Sequence, residues 1–264
     1  MKKNFFQFLK ISHIQNLNHE ERFVEHKKNL QNKKMLKNCY TEFYIKILKL
    51  EKNLKKKKGK TRIELGSGVG FIKDFDQKII TSDVVKNKFS DKIIDANKLP
   101  YGNNKIDSIF GIFCFHHFKN PYNFLRDIEK KLKVGGICIL VEPYYGPFAS
   151  LIYKKIHNSE YFDKNEKIGF KVRNKTAMEK ANQALSYIYF IKNKDIFKKK
   201  FPKLKITHNF VFNNYLRFLI SGGLNFKNLL PDCFDILIKF IELLLTPFKK
   251  IFGIHYLIAI KKIN

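Results

Sequence analysis

Apolar positions change their period twice along this 264-residue chain. Leu36, Cys39, Tyr40, Phe43, Ile47 and Leu48 recur at three- and four-residue steps. That spacing lays one apolar stripe along a helix. Residues 1–58 therefore read as helical, ended by the run Lys55–Lys58 and by Gly59. From Thr61 the period shortens. Apolar runs at 61–65, 78–82, 91–95, 107–113 and 137–141 predict strands, with a helix at about 121–132 between the last two. Such alternation argues for a parallel sheet with helices on its faces. Residues 147–200 are mixed and partly helical, and a strand at 204–212, a helix at 233–245 and a last strand at 255–261 follow.

The tail helix is apolar nearly all round, which makes core burial its default reading. Its run from Phe234 to Leu245 carries Lys239 and Glu242. It is too short to cross a bilayer, which takes about 20 residues. Beside the basic runs Lys198–Lys200 and Lys249–Lys250, its second reading is peripheral membrane contact. The start, MKKNFFQFLKISHIQNLNHEE, has a broken apolar run and no small-residue cleavage site. It is a poor signal peptide, so we expect a cytoplasmic protein without a spanning helix.

Composition changes this picture in one respect. Apolar residues at 44% suffice for a core, but the net charge of +29 admits nucleic acid or an anionic membrane as partner. Lysine far outnumbers arginine, and Asn, Ile and Phe are abundant, as A+T-rich coding produces. A phosphate reader would use more arginine for its planar fork, so coding bias is the ordinary reading and nucleic acid is disfavoured. Cys39, Cys114, Cys138 and Cys233 form no CxxC pair and stand at no zinc spacing with histidine. They read as reduced core residues, and no metal site is expected.

The densest chemical signal is IELGSGVG, residues 63–70. A strand ends at Glu64, and Gly66, Gly68 and Gly70 let the backbone turn sharply and approach a ligand. Asp83 closes the second predicted strand, where a carboxylate suits a ribose diol. Asp95 closes the third, where an acid can accept from an exocyclic adenine amine. All three acids fall at carboxyl ends of parallel strands, where doubly wound sheets bind ligands. Gly70 comes one residue too early for the GxGxxG of hydride-transfer folds.

The succession ELGSGVG, TSDV, DANKLPY, DSIFGIFCFHHF and LKVGGICILVEP resembles the class I S-adenosylmethionine-dependent methyltransferases, densely over residues 62–143. HHF followed by NPYNFLRDIEKKLK resembles the type 11 branch. EPYYGPFASLIYKKIHNSEYFD, FPKLK and FLISGG look more weakly like a bacterial subgroup of unassigned substrate. The resemblance implies a Rossmann-like α/β fold with a seven-stranded, mostly parallel sheet whose last strand is antiparallel. It implies an N-terminal helical cap over 1–58, a cofactor-binding core over 59–143, a helical lid over 144–203 and sheet-completing elements over 204–264. It implies S-adenosyl-L-methionine as cofactor, with Glu64 near the methionine amino group. Gly66, Ser67 and Gly68 would lie against the cofactor, Asp83 and Val84 at the ribose, and Asp95 and Ala96 at the adenine. Phe113 and His116 would also line the cofactor site, where the fourth strand opens toward the acceptor. Residues 71–82 alone separate Gly70 from Asp83, so the first helix must be short.

Methyl transfer from a sulfonium relies on positioning, and a base helps where the acceptor is a hydroxyl or carbon acid. The base candidates are His116, His117, Glu142 and His157. Tyr144, Tyr145, Phe148, Tyr153, Tyr161 and Phe162 form either a lid over the acceptor or the packing of a helical pair. The acceptor class this suggests is a small-molecule, lipid-like or saccharide metabolite. RNA is the alternative that the charge motivates, although CFHHF replaces an NPPY-type base clamp. A non-catalytic cofactor-binding protein would need a blocked site.

Overall fold

A computed structural model describes residues 19–55, 59–156, 160–168 and 181–264. Among the described residues two helices come first, α1 (His19–Asn32) and α2 (Lys34–Leu54). Lys33 separates them in extended conformation, its Nζ held by the carbonyls of Ser221 and Gly223 at 3.2 and 2.8 Å. Asp232 then accepts from the amides of Lys34 and Met35, satisfying the first turn of α2.

Seven strands follow: β1 (Arg62–Leu65), β2 (Ile80–Asp83), β3 (Lys92–Ile93), β4 (Ile106–Ile112), β5 (Leu132–Pro143), β6 (Leu204–Val211) and β7 (His255–Lys262). They form one sheet in the order β3-β2-β1-β4-β5-β7-β6. The first five run parallel, and β7 is antiparallel to both β5 and β6. Strands β4, β5 and β7 are buried on both faces, which is why their apolar runs are nearly continuous. Ile137, Ile139 and Val141 meet the core under α2, with Leu36, Phe43 and Ile47. Cys138 and Leu140 face the opposite core, beneath α3 (Pro121–Lys131) and the tail. Asn120 caps α3 by accepting from the Asn123 amide at 3.1 Å, with Pro121 in the first turn.

Three expectations change. Between β1 and β2 there is one 3₁₀ turn, Phe71–Asp74, rather than a helix. The third strand shrinks to two residues, because Asp95 leaves the ladder to bond Asn97. The fifth strand, expected at 137–141, starts already at Leu132, so the GG of LKVGG lies within it, at an irregularity where the pairing jumps from Ile106↔Leu132 to Ser108↔Ile137.

Beyond β5 come α4 (Pro147–Lys155), a short turn at Leu185–Tyr187 that runs into a π turn, and α5 (Lys194–Lys200). After β6 come α6 (Tyr215–Ile220) and α7 (Asp235–Leu244). Tyr144, Tyr153 and Phe162 belong to the core, Tyr145 and Phe148 pack against it, and Tyr161 is exposed. Most of that aromatic stretch is therefore packing. His157 lies outside the described residues.

The tail helix corrects its default reading. Its apolar side faces outward: Ile236 is 76% exposed, and Leu237, Phe240, Leu243 and Leu244 are also exposed. Its buried residues include Asp235 and Glu242. Arg217 of α6 explains the inversion. Its Nε donates to Glu242 at 2.6 Å, and its Nη2 pairs with Glu42 at 2.9 Å. Leaving that guanidinium buried without carboxylates would cost several kcal/mol, roughly 3–5. Cys233 is likewise exposed beside this helix, while Cys39, Cys114 and Cys138 are buried and reduced. Among the described residues, no helix is long and apolar enough to cross a membrane.

Candidate active site

The loop after β1 turns on three glycines. Gly66, Gly68 and Gly70 have φ of +62°, +53° and +66°, a region that costs little only for glycine. A Cβ at Gly66 would stand 2.7 Å from Cys114 Cβ, and one at Gly70 2.4 Å from the Phe89 carbonyl oxygen. At Gly68 it would meet nothing within 4 Å. Two glycines thus serve close packing, and the third fronts open space. The Gly68 amide donates to Asp83 Oδ2 at 3.1 Å and the Val85 amide to Asp83 Oδ1 at 3.2 Å, tying the tip of β2 to this loop. Ser67 Oγ and Ser82 Oγ both donate to the Glu64 carbonyl, at 3.1 and 2.7 Å.

Glu64 lies at the bottom of this loop, 1% exposed. Tyr44 of α2 donates to its Oε1 at 2.7 Å. Its other oxygen, Oε2, is buried without a hydrogen-bond partner. Burial pushes the carboxyl up to about 7, against the bonds from Tyr44 and Ser67 and with help from the charge of Asp83. Asp95 is exposed and accepts from the amide and side chain of Asn97 at 2.8 and 2.7 Å. Ala96 beside it is buried, and Val84 is exposed.

The second half of the site stands at the ends of β4 and β5. Phe113 leaves β4 at φ +53°, a strained conformation for a residue with a Cβ. Its amide bonds the Val141 carbonyl at 2.8 Å, and its ring packs against Phe43 and His255. The kink starts the 3₁₀ turn Phe115–His117. Glu142, fully buried on β5, gathers that turn. Its Oε1 accepts from the amides of Cys114 and Phe115 at 3.0 and 2.8 Å. Its Oε2 accepts from the His116 amide at 3.3 Å and meets His116 Nδ1 at 2.7 Å. On the far side of the imidazole, Nε2 stands 3.5 Å from Glu160 Oε2. His117 Nε2 stands 3.6 Å from Glu160 Oε1. Burial alone would lower the His116 pKa, but the carboxylates of Glu142 and Glu160 overcome it and raise it to about 10.

Residues 64–140, from Glu64 into β5, match a family profile described as a methyltransferase domain. No curated protein matches the sequence. Among solved structures, phosphoethanolamine N-methyltransferase 2 of Haemonchus contortus, crystallised with S-adenosyl-L-methionine, is similar at 14% identity. That match covers 92% of this chain and 57% of the other, with a TM-score of 0.48. Geranyl diphosphate C-methyltransferase from Streptomyces coelicolor A3(2) is 8% identical over 77% of this chain and 73% of its own, with a TM-score of 0.45. Likenesses this distant carry no argument about the acceptor.

The sheet brings Glu64, Ser67, Gly68 and Asp83 into one group at the tips of β1 and β2. Asp95 and Ala96 follow β3 next to it, with the Asp95 carboxylate turned to its own loop. His116, His117 and Glu142 form the second group. Tyr44 and Glu160 join these groups without having been read as site residues. Tyr44 is not part of the apolar stripe of α2, and Glu160 lies in a mixed segment without periodicity.

Proposed function

We propose that this chain is a class I S-adenosylmethionine-dependent methyltransferase that acts on a small-molecule, lipid-like or saccharide acceptor in the cytoplasm. The observation that carries the cofactor's placement is the buried, unpartnered Oε2 of Glu64 beside the open face of Gly68. A desolvated carboxylate oxygen without a donor fits a ligand ammonium group. Glu64 would take the methionine amino group, with Gly66, Ser67 and Gly68 along the main chain of the seat. Asp83 would take the ribose hydroxyls next to Val84, and Asp95 and Ala96 would flank the adenine. When bound, the cofactor supplies a methyl carbon already activated by a sulfonium. The chain's own task is to hold the acceptor in line and exclude water. Phe113 and His116 would border the acceptor. Glu142, with its oxygens engaged by three amides and an imidazole, is a positioning residue for His116 rather than a base. Calorimetric titration with S-adenosylmethionine tests the seat: Asp83→Ala should bind about 10–100-fold more weakly, the loss of one or two charge-assisted hydrogen bonds. Equal affinities would overturn the assignment.

We also infer that α7 rests on an anionic lipid surface. Its outward leucines, isoleucines and Phe240 form an apolar face, with Lys239, Lys249 and Lys250 at hand for headgroups. Sedimentation with anionic vesicles should carry the protein down, less so as salt rises. Failure to sediment at low salt would overturn this reading.

A further inference from the structure

The group formed by His116, His117 and Glu160 is more than a hydrogen-bonded cluster. We propose that it binds one divalent transition-metal ion, of the zinc class, through His116 Nε2, His117 Nε2 and the Glu160 carboxylate. Four observations carry this.

The three side chains offer ligand atoms that all lie within 4.8 Å of one another. Two come from the turn after β4, and the third from the segment that follows α4. The individual separations fit one ion. His116 Nε2 stands 3.5 Å from Glu160 Oε2, and His117 Nε2 stands 3.6 Å from Glu160 Oε1. Those gaps match the roughly 3.4 Å between two ligands that each sit about 2.1 Å from a tetrahedral ion.

The surroundings are also prepared. Glu142 Oε2 lies 2.7 Å from His116 Nδ1, on the side of the ring away from Glu160. That contact keeps a proton on Nδ1 and turns the Nε2 lone pair toward the cluster, the carboxylate–histidine arrangement that orients imidazole ligands. Glu142 is itself fixed by three backbone amides, so it cannot swing to follow the ion.

Exposure leaves the site shielded but accessible. The side chains of His116 and Glu160 are 4% and 12% exposed, and that of His117 is 25% exposed. Two imidazoles with one carboxylate suit zinc and its neighbours better than magnesium or calcium, which prefer all-oxygen shells. Three protein ligands leave a coordination position open. Because the cluster stands at the carboxyl ends of β4 and β5, that position would receive an oxygen or nitrogen atom of the acceptor. This last assignment rests on the proposed function above, whereas the metal site itself does not.

The test is competition for Zn²⁺ between the full-length protein and a chromophoric chelator, after metal stripping. One equivalent should bind. Glu160→Gln and His117→Ala should each lower the affinity at least tenfold, and Glu142→Gln about 10–100-fold through its effect on His116. The two ligand variants alter partly exposed side chains, and circular dichroism checks that they fold. Co²⁺ substitution gives an independent readout: intense visible absorption marks a tetrahedral site. Wild-type Zn²⁺ affinity no better than that of the Glu160→Gln, His117→Ala double variant would overturn the proposal, as would a purely octahedral Co²⁺ spectrum. Titration with S-adenosylmethionine on the same samples separates the two readings. Normal cofactor binding without Zn²⁺ binding sinks only the metal site, and Zn²⁺ binding without cofactor binding sinks only the cofactor seat.

Discussion

The two ends of the site are built by different means. At the tips of β1 and β2, a short stretch of chain does nearly everything: three left-handed glycines, two serines and two acids within residues 64–83. At the tips of β4 and β5, the working groups come from residues 113–117, 142 and 160 and meet only because the sheet is complete. The first end depends on backbone conformation. The second depends on a buried carboxylate that gathers four donors. A local device can be judged from spacing alone, whereas a long-range one needs the fold.

If this contrast holds, damage should stay on its own side. The largest effect is expected for Gly70→Ala, where a positive φ coincides with backbone 2.4 Å from the new Cβ. It should cost about 3 kcal/mol of stability, read as a lower urea midpoint. Glu142→Gln comes next, at about 2 kcal/mol, because one of its bonds must turn repulsive. Its affinity for S-adenosylmethionine should stay within about twofold of wild type, since it touches no cofactor-side group. A large loss there would merge the two ends into one unit.

Glu64 sharpens the contrast through pH. Its carboxyl titrates at about 7 in the folded protein. Only the carboxylate attracts an ammonium, so affinity should fall as pH drops through that value. Binding at pH 6 should be roughly tenfold weaker than at pH 8, and the slope should vanish in Glu64→Gln. The ligand-free protein should show the opposite trend in stability. The folded state holds this proton more tightly than the unfolded one, so stability contributed by Glu64 is present at low pH and is lost as pH rises toward 7. Denaturant midpoints across that range check the sign.

Gly68→Ala is the milder glycine test. With nothing within 4 Å of a new Cβ, only the φ of +53° penalises it, at about 1 kcal/mol. Cofactor affinity should fall by more than that, which calorimetry can compare with the melting shift. Leu243→Glu should be smallest for stability, within about 0.5 kcal/mol, because the side chain is 66% exposed. It should nevertheless weaken vesicle sedimentation.

The parts of this structure that were legible in the sequence are those set by near neighbours. The α2 stripe put Leu36, Cys39, Phe43 and Ile47 in the core, as its period required. Strands β1, β4, β6 and β7 lie within a few residues of their apolar runs. The misses share a cause in distant partners. Tyr44 bonds a residue on another element, which no helix period reveals. Glu160 acquires its meaning from the turn after β4. The tail helix was read as buried because an all-apolar run ordinarily is. Its orientation is decided instead by Arg217, on a separate helix, which draws Glu242 and Asp235 inward.

That ionic anchor has a consequence for the protein's colloidal behaviour. Locked by Arg217, α7 cannot roll its leucines out of water, so each molecule carries a sticky flank at all times. Mutual repulsion from a net charge of +29 keeps neighbouring copies apart at low ionic strength. Added salt shortens the reach of that repulsion to about 10 Å at 0.1 M. Light scattering should therefore rise with salt in the absence of lipid, the reverse of what charge-driven association would give, and mild detergent should abolish the rise.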